Sequence, residues 1–228
     1  MIFRQLFEKE TSTYTYLLAD EKTKEAIIID SVIETADRDL KLIKELELDL
    51  KYILETHIHA DHITGASKLR EATNAKTVVS HNAAVECADI FVKDNEDLLI
   101  GDQVIKVFAT PGHTNTCLSF YADGKIFTGD ALLIRGSGRT DFQNGSPESL
   151  FKSIHQKIFT LTDDTLVYPG HDYQGRTVST IAEEKKFNPR LNLKVSEKQF
   201  VEIMNNLNLP NPKKIEEAVP GNLACGKV

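Results

Sequence analysis

The chain reads as an α/β protein whose strands form a pair of mixed sheets covered by helices. Three observations point there. Strand-like and helix-like segments alternate from end to end, and some strands sit in hairpins while others run beside helices. No repeat, low-complexity stretch or flexible linker interrupts the 228 residues. That length suits one domain spanning residues 1–228, with a short helical and extended tail.

Thr13–Leu18 is β-branched and aromatic, and Ala26–Ile29 is a short buried-strand run that ends at Asp30. Thr35 offers an N-cap for a helix to Leu46 that carries Ala36, Leu40, Ile43 and Leu46 at helical spacing. Tyr52–Leu54 is a buried strand running into a histidine-rich loop. Lys76–Ser80 and Val104–Ala109 are further strands, with a helix predicted around Ala83–Ala88. Asp123-Gly124 joins strands Leu118–Ala122 and Lys125–Thr128 through a tight turn. Ser146-Pro147 caps and opens a helix towards Phe159. Thr165–Tyr168 is a strand, Thr177–Phe187 a helix, and Ser196 with Gln199 fits a capping box for another. The tail with Pro210, Pro212 and Pro220 is expected to be extended or looped.

Charge narrows the function classes. There are 27 Lys+Arg against 34 Asp+Glu, a net −7, which disfavours binding to nucleic acid or to an anionic membrane surface. No apolar run reaches the ~20 residues of a membrane span. The first residues lack the layout of a signal or transit peptide. Cys87, Cys117 and Cys225 are far apart and form no CxxC pair, so neither a disulfide scaffold nor a thiolate zinc site is indicated. A cytoplasmic protein in a reducing compartment is the expectation.

The chemistry concentrates in Thr56-His57-Ile58-His59-Ala60-Asp61-His62, where three imidazoles and a carboxylate follow a strand. Imidazole nitrogen and carboxylate oxygen are the donors of zinc, iron and manganese sites. Three later segments repeat the pattern of a donor just past a short apolar strand, with glycine beside it to let the backbone turn. They are Pro111-Gly112-His113-Thr114, Thr128-Gly129-Asp130 and Tyr168-Pro169-Gly170-His171-Asp172. A lone histidine is more often structural than a ligand, but four such sites at strand ends are hard to explain by chance.

The set HxHxDH with His113, Asp130 and His171 resembles the metallo-β-lactamase superfamily. The segment from Asp130 to Gln143, with Gly136-Ser137-Gly138-Arg139-Thr140-Asp141-Phe142, is similar to the signature of the persulfide dioxygenases within it. Tyr168–Tyr173, Asn188-Pro189-Arg190-Leu191 and Asn206–Pro210 also resemble that subfamily, so the likeness runs from Phe3 to Cys225. The resemblance implies an αβ/βα sandwich of two mixed β-sheets flanked by helices, with the metal at one edge. It implies that His57, His113 and Asp130 hold one Fe(II) per chain and form the catalytic centre. His59, Asp61, His62 and His171 then orient the ligands or offer a second metal position. The implied reaction oxidises glutathione persulfide with O2 and water to sulfite and glutathione.

Two other readings stand beside it. In a dinuclear-zinc hydrolase of the glyoxalase II type, His57, His59 and His113 would bind one ion and Asp61, His62 and His171 the other, with Asp130 bridging. That family carries a longer C-terminal helical domain than the short tail expected here. A non-catalytic metal-binding scaffold is the third reading. Because glutathione carries two carboxylates, Arg139 is the expected anion partner, Tyr173 is placed to reach a ligand at the metal, and Arg190 is a weaker candidate. His81 and His155 are expected as surface or helix residues, and Cys117 as a core residue. A homodimer is left open.

Overall fold

A computed structural model describes residues 1–212 and 214–227. Two six-stranded sheets pack face to face. The first contains β1 (Ile2–Glu8), β2 (Thr13–Ala19), β3 (Glu25–Ile29), β4 (Asp49–Leu54), β5 (Lys76–Ser80) and β6 (Ile90–Val92) in sequential order. The second contains β7 (Asp97–Ile100), β8 (Gln103–Ala109), β9 (Leu118–Ala122), β10 (Lys125–Gly129), β11 (Leu166–Pro169) and β12 (Ser179–Thr180), also in order. Both are mixed: β3 to β6 run parallel, as do β10 and β11, while the remaining pairs are antiparallel.

The side-chain alternation explains the layers. On β2 and β3, Tyr16, Leu18, Ile27 and Ile29 point between the sheets and meet Val107, Phe120, Phe127 and Tyr168. Their neighbours Leu17, Ala26 and Ile28 point outward against α1 (Ala36–Glu45) and α2 (Ala66–Thr73) through Ile43 and Leu69. On the second sheet, Ile126 and Val167 pack outward with Leu150 and Ile154 of α3 (Pro147–Gln156), Ile181 of α4 (Ile181–Phe187) and Phe200 of α5 (Glu197–Asn205). Strands buried on both faces need apolar residues at every position, which is why Ile27–Ile29 reads as a continuous run. The sandwich of helix, sheet, sheet and helix is the predicted fold class.

Most local expectations hold to within a residue or two. Asp123 and Gly124 both take positive φ, 48° and 71°, as the tight hairpin requires. Ser146 Oγ accepts the Ser149 amide at 3.1 Å, and both hydrogen bonds of the Ser196–Gln199 capping box form.

Five expectations need correction. Residues 83–88 are turns rather than a helix, because Ala83 and Val85 alternate into a cluster with Ile58, Val79 and Cys225 instead of following a helical face. Thr35 caps nothing with its side chain; its hydroxyl turns back to the Val32 carbonyl. The predicted helix from Thr177 begins at Ile181, capped by Thr180, because Ser179 and Thr180 pair with β11 first. The tail contains α6 (Ile215–Leu223), which holds Pro220 within it and is kept by tertiary contacts. Finally, three scattered cysteines predict no disulfide, yet Cys87 and Cys225 are bonded across a sequence separation of 138. Only the folded topology brings α6 back against the turns that follow β5. No helix among the described residues is long and apolar enough to cross a membrane.

Candidate metal centre

The polar loops that carry the histidines leave the ends of β4, β8, β10 and β11 at one edge of the sandwich. Tyr14 N–H of β2 donates to the Gly170 carbonyl at 2.8 Å, and Tyr16 Oη donates to Pro169 O at 2.6 Å, tying the two sheets together there. Gly112, at φ +146°, lets the His113 loop lie against α3: a Cβ there would sit 2.3 Å from Leu150 N and Cα.

The fixing of His57 starts at Asp30, the residue after β3. Its carboxylate accepts the Thr56 amide at 2.7 Å and the Thr56 hydroxyl at 2.8 Å. A hydroxyl that donates to Asp30 has only acceptor capacity left for His57 Nδ1, 3.0 Å away. The His57 proton is therefore held on Nδ1, leaving the Nε2 lone pair for a ligand. His113 is set the same way by a different group, since its Nδ1–H donates to the main-chain carbonyl of Arg139 at 2.7 Å. His113 Nε2 lies 3.8 Å from Asp130 Oδ2. One donor atom from each of His57, His113 and Asp130 falls within 4.8 Å of the others.

Electrostatics favour the ligating forms. Burial, with help from His59 and His113, holds the His57 pKa well below its ordinary value, so the ring is neutral. Burial pushes Asp130 up, but the charge and hydrogen bond of His171 outweigh it and hold the carboxyl below the usual range. Two imidazole nitrogens and one carboxylate oxygen suit a divalent transition metal, and the group fits.

The other four motif residues gather beside this trio. His59, Asp61 and His62 also bring donor atoms within 4.8 Å of one another. His171 is committed on both nitrogens, to Asp130 Oδ1 at 2.7 Å through Nδ1 and to Asp61 Oδ2 at 2.9 Å through Nε2, with Thr13 Oγ1 3.0 Å from Nε2. Burial opposes its charge, yet the two carboxylates raise its pKa well above the ordinary value. Asp61 Oδ2 also lies 2.9 Å from His62 Nδ1. His59 Nε2 turns to Asp30 at 3.2 Å and Glu55 at 3.4 Å. The buried His59 Nδ1 and His62 Nε2 have no hydrogen-bond partner among the described residues.

The three expected substrate contacts are placed unequally. Arg139 is already engaged: it pairs with Asp141 through two bonds of 2.7 Å, donates to Pro210 O at 2.6 Å, and stacks on Phe142. Its main-chain carbonyl, which holds His113, is its visible role at the centre. Tyr173 is 74% exposed, with its ring stacked on His171 at 6.0 Å. Arg190 donates to Ser137 O at 3.1 Å, burial lowers its pKa, and no carboxylate among the described residues pairs with it.

Cys117 is buried, and burial pushes its thiol up to about 12, so it stays protonated. His81 is exposed, and His155 stacks on Phe151 within α3. Sequence reasoning missed Thr13, Asp30, Glu55 and Asn222. Asp30 left a signal, a carboxylate at the end of a buried strand like the other donors; the rest left none.

The metallo-β-lactamase superfamily pattern matches residues 9–171. The chain is 50% identical to the mitochondrial persulfide dioxygenase ETHE1 of Homo sapiens, over 99% of this chain and 89% of that protein. It is similar to the crystal structure of ETHE1 from Myxococcus xanthus, with a TM-score of 0.97 and 54% identity covering 100% of both chains. Glyoxylase B2 of Dictyostelium discoideum is 32% identical over 97% of this chain and 89% of that protein.

Proposed function

The chain belongs to the metallo-β-lactamase superfamily and is a persulfide dioxygenase; from this premise we propose that it oxidises glutathione persulfide at a mononuclear Fe(II) centre held by His57, His113 and Asp130. One persulfide, one O2 and one water give glutathione, sulfite and two protons. The sulfane sulfur loses the four electrons that the oxygen molecule gains.

The observation that carries the single-metal reading is the commitment of His171. Both its nitrogens are hydrogen-bonded to carboxylates, and Asp61 is spent on His171 and His62, so the donors of a second position are turned on one another. Fe(II) at the trio supplies the redox activity that O2 chemistry needs and that zinc lacks. The Asp30–Thr56 pair holds the His57 proton on Nδ1, and the Arg139 carbonyl does the same for His113. Tyr173 covers His171 at the mouth of the site, where it is exposed enough to meet a ligand. Arg190 pairs with a carboxylate of the glutathione moiety.

The dinuclear-zinc hydrolase has one observation in its favour, the unpartnered His59 Nδ1 and His62 Nε2. The two readings part on metal content and substrate. Anaerobically purified protein is expected to hold about one iron per chain, and to consume O2 and release sulfite with glutathione persulfide. Two zincs per chain and hydrolysis of S-lactoylglutathione would overturn this reading. A cytoplasmic location is proposed and is tested by cell fractionation; the Cys87–Cys225 bond counts against a strongly reducing compartment.

A further inference from the structure

Asn222 of α6 is 4% exposed, and its side chain is spent on the histidine loop. Its Nδ2 donates to the main-chain carbonyls of His59 and His62, both at 2.8 Å, and its Oδ1 accepts the Thr64 amide at 2.8 Å. A buried loop outside any strand must satisfy such main-chain groups individually, and here one amide satisfies three of them. A small cavity of about 10 Å³ lies beside this contact, bounded by His57, Thr64, Val79, Asn222 and Cys225 among others.

The element that delivers Asn222 is weak by itself. It has nine residues and contains Pro220, whose missing N–H and ring disfavour a helix interior. The residues just beyond α6 hold it in place. Cys225 is bonded to Cys87, and Gly226 presses so closely on the loop that a Cβ there would lie 2.2 Å from Thr64 O.

We propose that Asn222 is a positioning residue for the His59–Thr64 segment and that the Cys87–Cys225 disulfide is the clasp that keeps it seated. Its effect on iron rests on the metal centre proposed above; its ordering of the loop does not. Opening the clasp takes two electrons and two protons from a dithiol reductant, which leaves as its own disulfide and yields two cysteine thiols.

Amide hydrogen exchange of residues 55–66 in the metal-free full chain tests this. Asn222→Asp keeps the shape and the acceptor for Thr64, but loses both donors and sets a carboxylate against two carbonyls. Exchange in that segment is expected to quicken by about tenfold or more, with the sheets still protected. Cys87→Ser, at a half-buried position, is expected to quicken it by a smaller factor. The double variant should exchange no faster than Asn222→Asp, because the clasp acts through Asn222. Iron-loaded Asn222→Asp is expected to release Fe(II) to a bidentate chelator about tenfold faster. Unchanged exchange in Asn222→Asp, a rise spread evenly over all segments, or multiplied effects in the double variant would each overturn the proposal. If exchange changes as expected while iron release does not, the clasp stands and the metal assignment fails.

Discussion

Replacing Asp30 by Asn changes one atom, yet it is expected to undo the metal centre from a distance. Asp30 is 1% exposed and accepts from Thr56 N, Thr56 Oγ1 and His59 Nε2. An amide in its place has two orientations. With the new NH2 group facing Thr56 Oγ1, the hydroxyl becomes an acceptor from that group and donates instead to His57 Nδ1. That moves the imidazole proton to Nε2, the atom needed for the metal. With the NH2 group on the other side, it meets the Thr56 amide, 2.7 Å from the present oxygen, and strands a buried donor. The first outcome predicts a loss of metal affinity of about 10–100-fold, the range for partners that orient a ligating histidine. The second costs about 1–3 kcal/mol of stability, or a fall in Tm of about 2–12 °C for a chain of this size. Anaerobic chelator competition for Fe(II), run beside calorimetric melting of the metal-free protein, measures both. Wild-type iron retention together with an unchanged Tm in Asp30→Asn would show that the Asp30–Thr56–His57 relay does not set the tautomer.

Three further outcomes are expected. Arg190→Gln removes a guanidinium that lacks a carboxylate partner, and should raise KM for glutathione persulfide about tenfold with little change in kcat; an unchanged KM removes it from the binding site. Gly112→Ala places a Cβ 2.3 Å from the Leu150 backbone at φ +146°, and should cost about 1–3 kcal/mol in denaturant unfolding and weaken iron retention by shifting His113. Asp20 accepts from the Thr23 and Lys22 amides and from Gln103, and the Thr23 amide first, with Gln103 next, lowers its pKa from 3.8 to about 2. A depressed folded-state pKa gives stability that is present above 3.8 and lost as pH falls through about 2. Asp20→Asn should therefore melt below the wild type at pH 6, and the two melting temperatures should converge as the pH drops towards 2.

The sequence by itself determined whatever depends on near neighbours. The Asp123-Gly124 turn and the Ser196–Gln199 box are local, because their hydrogen bonds join residues only a few positions apart, and Thr13–Leu18 is legible from its own β-branched and aromatic side chains although its ladder partners are more distant. The donors were legible for the same reason: each follows a short apolar strand, and strands in a sandwich end together at its edge. The tertiary structure alone decided which donor faces which. Arg139, the expected anion partner, is held by Asp141 and the Pro210 carbonyl, and Arg190 has no counter-ion among the described residues. His171 was expected either to orient the ligands or to offer a second metal position, and its two nitrogens face Asp130 and Asp61. The tail read as loop because Pro220 disfavours a helix, and long-range contacts overruled that preference. Asn222 reaches His59 across 163 residues and Cys225 reaches Cys87 across 138. Pairings over such separations leave no mark in local periodicity, since only the closed topology brings their partners within reach.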